Sequence, residues 1–458
     1  SNQTSAFNSA LQSRNSKAIP QLYSSEINVE QMAFSKVEIE SSTAAGYSRT
    51  MRIALGRYGI LNRLYLHSTF LGTDISSSAL ANNKNFSAVP FIGIQMIKEA
   101  RLMYNGAVLS KLNAETIQSD LWKNSSRREK RLLQELVGAY DQTTTGTSSV
   151  TPDRTGVDPA ARCLGQQDFY TPLDFFFSSV HSANRGLDLS VLANEVLLEI
   201  DVESSNKLWR QNGTGAAVPE LSNLSAVCHL TEMAPEVEKT FRAISYVPGG
   251  SPLTEICFDT THAIVASGQA LSATAETAIE VRLNQFPHSV FRLDIYAVNA
   301  DTFPTLLERF NPGQINEIQI KATGSNIYNS DNLSNKEDLL EVYNSKGDYY
   351  SKTEGTECIV ENITCNPNHI YSIYFKSPQD FSKVSNSGSV AMSQLSTPNL
   401  RVVLPINNSS TAQAPASFGA QNKVLAGPVD IHVVAYHTSL ISYSTNTSGS
   451  TNIKKIEA

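Results

Sequence analysis

The chain has 458 residues, with 36 Lys and Arg against 43 Asp and Glu, a formal net charge of −7 and a pI near 5.7. That acidic balance supplies no basic surface of the kind phosphate contacts demand, so it speaks against sequence-specific nucleic-acid binding. Hydrophobic residues make up 41%, enough for packed interiors, and the length predicts two domains of roughly 200 residues each rather than a single core.

Residues 1–28 are polar, with Phe7, Ala10 and Leu11 at helical spacing and Pro20 ending any helix, so an N-terminal arm is expected there. The start lacks the apolar middle of a secretory signal, and no apolar run reaches the length of about 18 residues that a spanning helix needs. Strands then begin. Val37 and Ile39 alternate with Lys36, Glu38 and Glu40; Met51, Ile53 and Leu55 follow; Ile60–Phe70 and Val89–Met103 read as further extended runs. Asn105-Gly106 predicts a tight hairpin, because both residues tolerate positive φ. From 113 to 141 the period changes to that of a helix, with Ile117, Leu121, Leu132, Leu133, Leu136 and Val137 apolar and a basic run (Lys123, Arg127, Arg128, Lys130, Arg131) that reads as a solvated face. Residues 142–160 are a Thr/Ser/Gly/Pro surface loop.

The segment Asp168–Glu203 is the centre of the first half. Phe169, Tyr170, Leu173, Phe175, Phe176 and Phe177 predict a strand buried on both faces, with Pro172 placing it at an edge or bulge. Then Val196, Leu198, Ile200 and Val202 alternate with Glu195, Glu199, Asp201 and Glu203, aliphatics on one face and acids on the other, with Leu197 the exception. Leu221–Met233 is another strand, and a domain boundary is placed near residue 240.

The second half repeats this order. IALGRYGILNRLYL from Ile53 and VRLNQFPHSVFRLDI from Val281 each carry an alternating strand, an aromatic at a break, and a second strand with Arg one before Leu. Ile318 and Ile320 alternate with polar residues, and Ser334-x-x-Glu337 forms a capping box opening a helix with Leu339, Leu340 and Tyr343. His369–Phe375 echoes the aromatic segment. Gln394–Ile406 echoes the central strand, with Val402, Leu404 and Ile406 set against Leu198, Ile200 and Val202. Val429–Tyr443 is the last strand, and a polar tail, 446–458, closes the chain. The expected plan is an all-β chain of two tandem β-sandwich domains, 29–240 and 241–445, with short helical insertions.

Chemistry-bearing motifs are absent from the sequence. His67, His181, His229, His262, His288, His369, His432 and His437 are scattered without HExxH spacing, and His432 and His437, five apart on a strand, point to opposite faces. No CxxC, GxSxG, GxGxxG or P-loop pattern occurs. No catalytic, cofactor or metal residue is therefore assigned, and the acidic row of Glu195, Glu199, Asp201 and Glu203 reads as a solvated face. Five cysteines make no disulfide framework and fit an intracellular folding compartment; Cys358 and Cys365 are spaced to close a local loop or to remain free thiols. Ten N-x-S/T sequons, among them Asn85, Asn212, Asn332 and Asn362, leave glycosylation open. A chain with two β domains and no polar constellation favours assembly or binding over catalysis.

The two jelly-roll-like halves, the helical insertion in each, and the core Thr171-Pro172-Leu173-Asp174-Phe175-Phe176-Phe177 followed by Glu195-Val196-Leu197-Leu198-Glu199-Ile200 resemble the double jelly-roll major capsid proteins of tailless double-stranded DNA viruses, in particular those of nucleo-cytoplasmic large DNA viruses, virophages and polinton-like elements. Asn284-Gln285-Phe286-Pro287-His288 is similar to the family's Asn-His-Pro turn, with altered spacing; Ala193-Asn194 stand where members often carry Tyr-His. The resemblance implies a structural capsid protein of the virion. It implies homotrimers of six-fold outline that tile an icosahedral shell. It implies neighbouring capsomers, penton and minor capsid proteins as partners, and an N-terminal arm turned inward toward an internal viral membrane. Open alternatives are a spike, fibre or carbohydrate-binding β-sandwich, for which the only tryptophans are Trp122 and Trp209, a jelly-roll enzyme, and a double jelly-roll scaffold that never enters the particle.

Overall fold

The computed structural model describes residues 32–40, 45–57, 59–71, 86–88, 91–124, 132, 136–138, 167–178, 186–211, 218–233, 239, 242–243, 246–286, 289–299, 313, 315–330, 370–375, 388–406 and 428–457. The expected arm 1–28, the loop 142–160, the helix from Ser334, the cysteines Cys358 and Cys365, and the sequons Asn85, Asn212, Asn332 and Asn362 lie outside them.

The first half contains β1 (Met32–Glu40), β2 (Thr50–Ala54), β3 (Ile60–Phe70), β4 (Phe86–Ala88), a single turn α1 (Ile92–Gln95), β5 (Ile97–Tyr104), β6 (Ala107–Leu112) and helix α2 (Ala114–Asn124). It continues with β7 (Gln167–Pro172), β8 (Leu187–Asp188), β9 (Val196–Val202), the short α3 (Ser205–Leu208), β10 (Trp209–Gln211) and β11 (Leu221–Met233). The second half has β12 (Leu253–Gln269), β13 (Thr277–Arg282), β14 (Val290–Asn299), β15 (Glu317–Ala322), β16 (Ser325–Ser330), β17 (Tyr371–Tyr374), β18 (Asn399–Leu404), β19 (Val429–Thr445) and β20 (Thr451–Glu457).

These strands form two sandwiches of the same design. In the first, sheet I has the order β1-β11-β3-β7 and sheet II the order β2-β9-β5-β6; in the second, sheet III is β12-β19-β14-β17 and sheet IV is β13-β18-β15-β16. The orders match position for position, and every pairing is antiparallel. This is the double jelly roll, in which most strand pairs join segments far apart in sequence and β5–β6, β15–β16 and β19–β20 are local hairpins. The interior of the first sandwich is filled by alternate residues such as Ile53, Leu64, Leu66, Leu102, Leu198 and Ile200, and that of the second by Leu293, Ile295, Ile320, Val402, Ile431 and Val433, all at 0–2% exposure. Each such side chain contributes about 1.5–3 kcal/mol by leaving water.

Several sequence expectations resolve differently. The aromatic segment is not one strand: β7 ends at Pro172, on the edge of sheet I. Leu173–Ser178 then turn, with hydrogen bonds from Phe175 N–H to Leu173 and from Ser178 N–H to Phe175. A strand sends successive residues to opposite faces, whereas this turn drives Phe175, Phe176 and Phe177 all into the core, Phe176 and Phe177 edge to face. Val89–Met103 likewise breaks, because Phe91 takes a left-handed φ of 58° and opens α1 before β5 begins. The Asn105-Gly106 hairpin forms as expected, with φ of 51° and 79°.

The second-half echo of β9 is displaced by two residues. In register, Leu102 pairs with Leu198 and that with Ile53, while Ile320 pairs with Leu400 and that with Val281. Leu400, Val402 and Leu404, not Val402, Leu404 and Ile406, therefore correspond to Leu198, Ile200 and Val202. A slip of two leaves every side chain on its own face, so a period-two pattern does not record it.

The expected tail 446–458 is instead largely strand. β20 pairs with the end of β19 from Thr451–Thr445 to Glu457–Ser439. β12 and β19 are 17 residues each, longer than sheet III needs. Their far ends, together with β20, place Cys257, Ile441, Tyr443 and Ile453 in the core of the first sandwich, while Val429, Ile431, Val433 and Ala435 of the same β19 belong to the second. Ala193 N–H donates to Thr451 at 2.8 Å, and Tyr104 donates its hydroxyl hydrogen to Asn452 at 3.1 Å. One pair of strands thus enters both cores and ties the sandwiches together.

Candidate functional site: the joint between the sandwiches

The outer face of sheet III is not a solvated face. Phe258, Phe291, Tyr296, Val298, Ile370, Val434 and Tyr436 form a cluster of their own on it. Helix α2, which sits on the β6 edge of the first sandwich, is positioned by Asn113. Its Oδ1 accepts from Thr116 N–H at 2.9 Å and its own N–H donates to Thr116 Oγ1 at 2.9 Å, a reciprocal N-terminal cap. Since Oδ1 is engaged, the Asn113 amide nitrogen faces His262 Nδ1 at 2.7 Å and donates to it. His262 must then carry its hydrogen on Nε2, which donates to His432 Nδ1 at 2.9 Å; Tyr296 stacks on His432 with centroids 5.0 Å apart. His262 and His432, with no spacing relation in sequence, meet because β12 and β19 are neighbours.

Further along the helix, Ser119 Oγ donates to Asp294 Oδ2 at 2.9 Å. Asp294 also receives Arg292 Nε at 2.7 Å and its terminal guanidinium nitrogen, and both side chains have zero exposure. The guanidinium lies 4.2 Å from the centre of the Tyr436 ring and 5.6 Å from that of Tyr374. Burial alone would push Arg292 down, but the Asp294 charge beside it holds it well above its ordinary range. At the lower end of the joint, Asp259 of β12 accepts from Ser110 of β6 at 2.9 Å and from Lys455 of β20.

A shallow cavity remains between the two halves, lined by Leu112, Thr116, Ile117, Asp120, Asp174, Phe258, Asp259 and Thr260. Burial pushes Asp174 up to about 7; the nearby Asp120 charge adds to this, while Arg63 and a hydrogen bond with Ser178 oppose it. Among the described residues, no group of three His, Cys, Asp or Glu side chains is placed to hold a metal ion, and no helix is long and apolar enough to cross a membrane.

The acidic row on β9 is a cross-strand ion-pair lattice rather than a free solvated face. Glu199 is 7% exposed and bonds Arg52 of β2 at 2.6 Å and Arg101 of β5 at 2.6 Å; Arg101 also reaches Asp201 at 2.9 Å, and Lys207 reaches Glu203 at 3.3 Å. Burial pushes the Glu199 carboxyl up, but the hydrogen bonds and charges of Arg52 and Arg101 outweigh it and hold it below its usual value. Glu195 and Leu197 are exposed. His67 stacks on Tyr170 at 4.4 Å and contacts Asp168 at 3.3 Å on the outer face of sheet I; His229 packs on Tyr65; His437 lies between Thr261 and Ser439; His181, His288 and His369 fall outside the described residues. Cys228 and Cys257 are buried free thiols, and burial pushes Cys228 up to about 12, which leaves it a core residue rather than a nucleophile. Sequence reasoning missed the joint altogether. Its one available signal was that His432, Val434 and Tyr436, on the face opposite Val433 and Ala435, are large and uncharged.

No protein-family model matches the chain, and no curated protein does. Among solved structures the chain is similar to the PBCV-1 virus capsid, with a TM-score of 0.60 at 12% identity over 92% of this chain and 96% of that one. It is similar to the Faustovirus major capsid protein, with a TM-score of 0.55 at 10% identity over 89% and 90% of the two chains. It is also similar to the mavirus major capsid protein, with a TM-score of 0.51 at 11% identity over 93% and 90%. At such identities the likeness is one of fold, and it extends over nearly the whole of each chain.

Proposed function

We propose that this chain is a viral major capsid protein that works by assembly: copies associate in threes, six similar sandwiches surround one axis, and the resulting capsomers of hexagonal outline tile an icosahedral virion shell. The observation that carries this reading is the match of strand order between the two sandwiches, joined by β12, β19 and β20 into one block. A chain presenting two near-equivalent units in fixed relation suits a lattice whose neighbours are six-fold in shape but three-fold in chemistry. The role in this reading is structural rather than catalytic: His262 and His432, and Arg292 and Asp294, are engaged with one another within the second half, and Asn113 and Ser119 of the first half tie them across the joint. Neighbouring capsomers, penton and minor capsid proteins are the partners in this reading, and the domains 29–240 and 241–445 are its two building blocks, with residues 1–28 directed inward toward an internal membrane.

Native mass and negative-stain images of the purified full chain test it. The expected result is a three-copy particle with a six-lobed outline, and removal of residues 1–25 should leave that particle intact while impairing shell formation. A monomer at micromolar concentration would overturn the reading.

A further inference from the structure

Two histidines bonded to one another stand in the joint, His432 buried and His262 half-buried. Two β-bulges set the rows that bring them there. β14 shifts against β19 between Val290 and Arg292, and past that shift Tyr296 pairs with His432; β12 shifts against β19 just beyond Ile264, which pairs with the same His432. His262, two residues before Ile264, shares the outer face of sheet III with His432 and meets the Asn113 cap of α2. The hydrogen bonds run in one direction only. Asn113 Oδ1 is taken by Thr116 N–H, so its amide nitrogen donates to His262 Nδ1 at 2.7 Å, and His262 Nε2 donates to His432 Nδ1 at 2.9 Å.

Each imidazole in this chain accepts at Nδ1, and an imidazolium accepts nowhere. A proton on His262 sets its Nδ1–H against the Asn113 amide hydrogens. A proton on His432 sets its Nδ1–H against His262 Nε2–H; if His262 moves its own hydrogen to Nδ1 in order to accept, the conflict passes to Asn113. Protons on both add two like charges on rings with centroids 5.1 Å apart. Every protonated arrangement therefore breaks the bond to Asn113 or the bond between the rings. The neighbouring charges come from four elements. Asp294 of β14 holds Arg292 and Ser119, and Tyr296 of β14 stacks on His432. Asp430 of β19 accepts from Ser267 and from Gly268 N–H. Helix α2 carries Glu115 in its first turn and Asp120 further on, whose charge acts on Asp174; Lys111 of β6 is exposed.

We infer that the His262–His432 pair is an acid-sensitive lock on the joint: it holds α2 of the first half to sheet III of the second while both imidazoles are neutral, and releases α2 when either takes up a proton. The opened form binds protons that the closed form excludes. Closure is therefore strongest above the range near pH 6.5, in which a free imidazole titrates, and weakens as pH falls through it. Asp174, in the neighbouring cavity, acts in the opposite sense because its neutral form is favoured in acid, so it does not produce this weakening. Glu199 contributes a loss only below its unfolded value of 4.5.

Hydrogen exchange of the α2 amides in the full chain tests this between pH 7 and pH 5, read by mass spectrometry and corrected for the intrinsic pH dependence of exchange. One excluded proton lowers protection by about 25-fold over that interval, and two, as expected for wild type, by about 600-fold. Asn113→Asp keeps a good helix cap and turns its second oxygen on His262 Nδ1. There a carboxylate accepts from an imidazolium while His262 Nε2–H still donates to His432. Its protection should rise on the same acidification. His262→Gln, whose amide accepts and donates like a neutral imidazole but takes no proton, should fall by only about 25-fold, the share of His432. Both variants are checked for wild-type circular dichroism at pH 7. Wild-type protection that holds steady from pH 7 to pH 5 would overturn the lock. So would an Asn113→Asp or His262→Gln protein that loses protection as steeply as wild type, the result that a merely structural histidine pair requires.

Discussion

Asp294→Asn is the most informative single change at the joint. Asp294 holds Arg292 through two contacts, one at 2.7 Å, and takes a third hydrogen bond from Ser119 at 2.9 Å, with both charged side chains at zero exposure. The amide keeps the shape but leaves a guanidinium charge buried without its counter-ion, a defect that costs about 3–5 kcal/mol. The faces of Tyr436 and Tyr374, at 4.2 and 5.6 Å, remain and retain about 1–2 kcal/mol of attraction for the cation, so a loss near the lower end, about 3 kcal/mol, is expected. Urea denaturation at pH 7 reads this as a fall in midpoint at constant slope. The same reasoning requires that Arg292→Met combined with Asp294→Leu, which removes both charges and keeps the volume, return to within about 1 kcal/mol of wild type. An Asp294→Asn protein as stable as wild type, or a double variant no better than the single one, would refute the account of the pair as mutually dependent.

Ile453→Ala should cost about 2–4 kcal/mol, because Ile453 is 5% exposed in the first core although it comes from the last strand; differential scanning calorimetry would read the loss as a lower Tm. Asp174 is raised from 3.8 to about 7 in the folded chain, so its contribution is fully present below about pH 4 and is lost as pH rises toward 7. Asp174→Asn, fixed in the neutral form, should flatten that decline and exceed wild type in unfolding midpoint at pH 8, measured across pH 4–8. Glu199 shifts the other way: its paired carboxylate stabilises above its unfolded value of 4.5, and that contribution fades as pH falls through its lowered pKa. Glu199→Gln should lose about 1–2 kcal/mol at pH 7, a modest amount because Arg52 is 71% exposed and screened, and unfolding in 1 M salt should narrow the difference.

The period-two alternation of β3, β9, β14, β15 and β18 was visible in the sequence, because a strand with one face in a core and one outside must alternate. The duplication was visible for the same reason: equal sheets impose equal patterns. Pro172 correctly marked an edge, since a residue without an N–H has no place inside a ladder. Failures arose where local pattern and tertiary need diverged. Phe175, Phe176 and Phe177 look like a strand to any propensity argument, yet only a turn brings all three inward. β16, reading SNIYNS, and β20, reading TNIKKIE, are too polar to announce themselves and exist because β15 and β19 offer them open edges.

What the sequence determined by itself was the class of fold, two sandwiches in tandem, because hydrophobic periodicity and turn residues act over a few neighbours. What only the tertiary structure decided was where the halves touch. Asn113, His262 and His432, or Ser119, Asp294 and Arg292, lie up to about 320 residues apart. Their meeting depends on strand register, on the two bulges that set it, and on the overlong β12–β19 pair that enters both cores, none of which leaves a local trace that a slip of two residues would not equally satisfy.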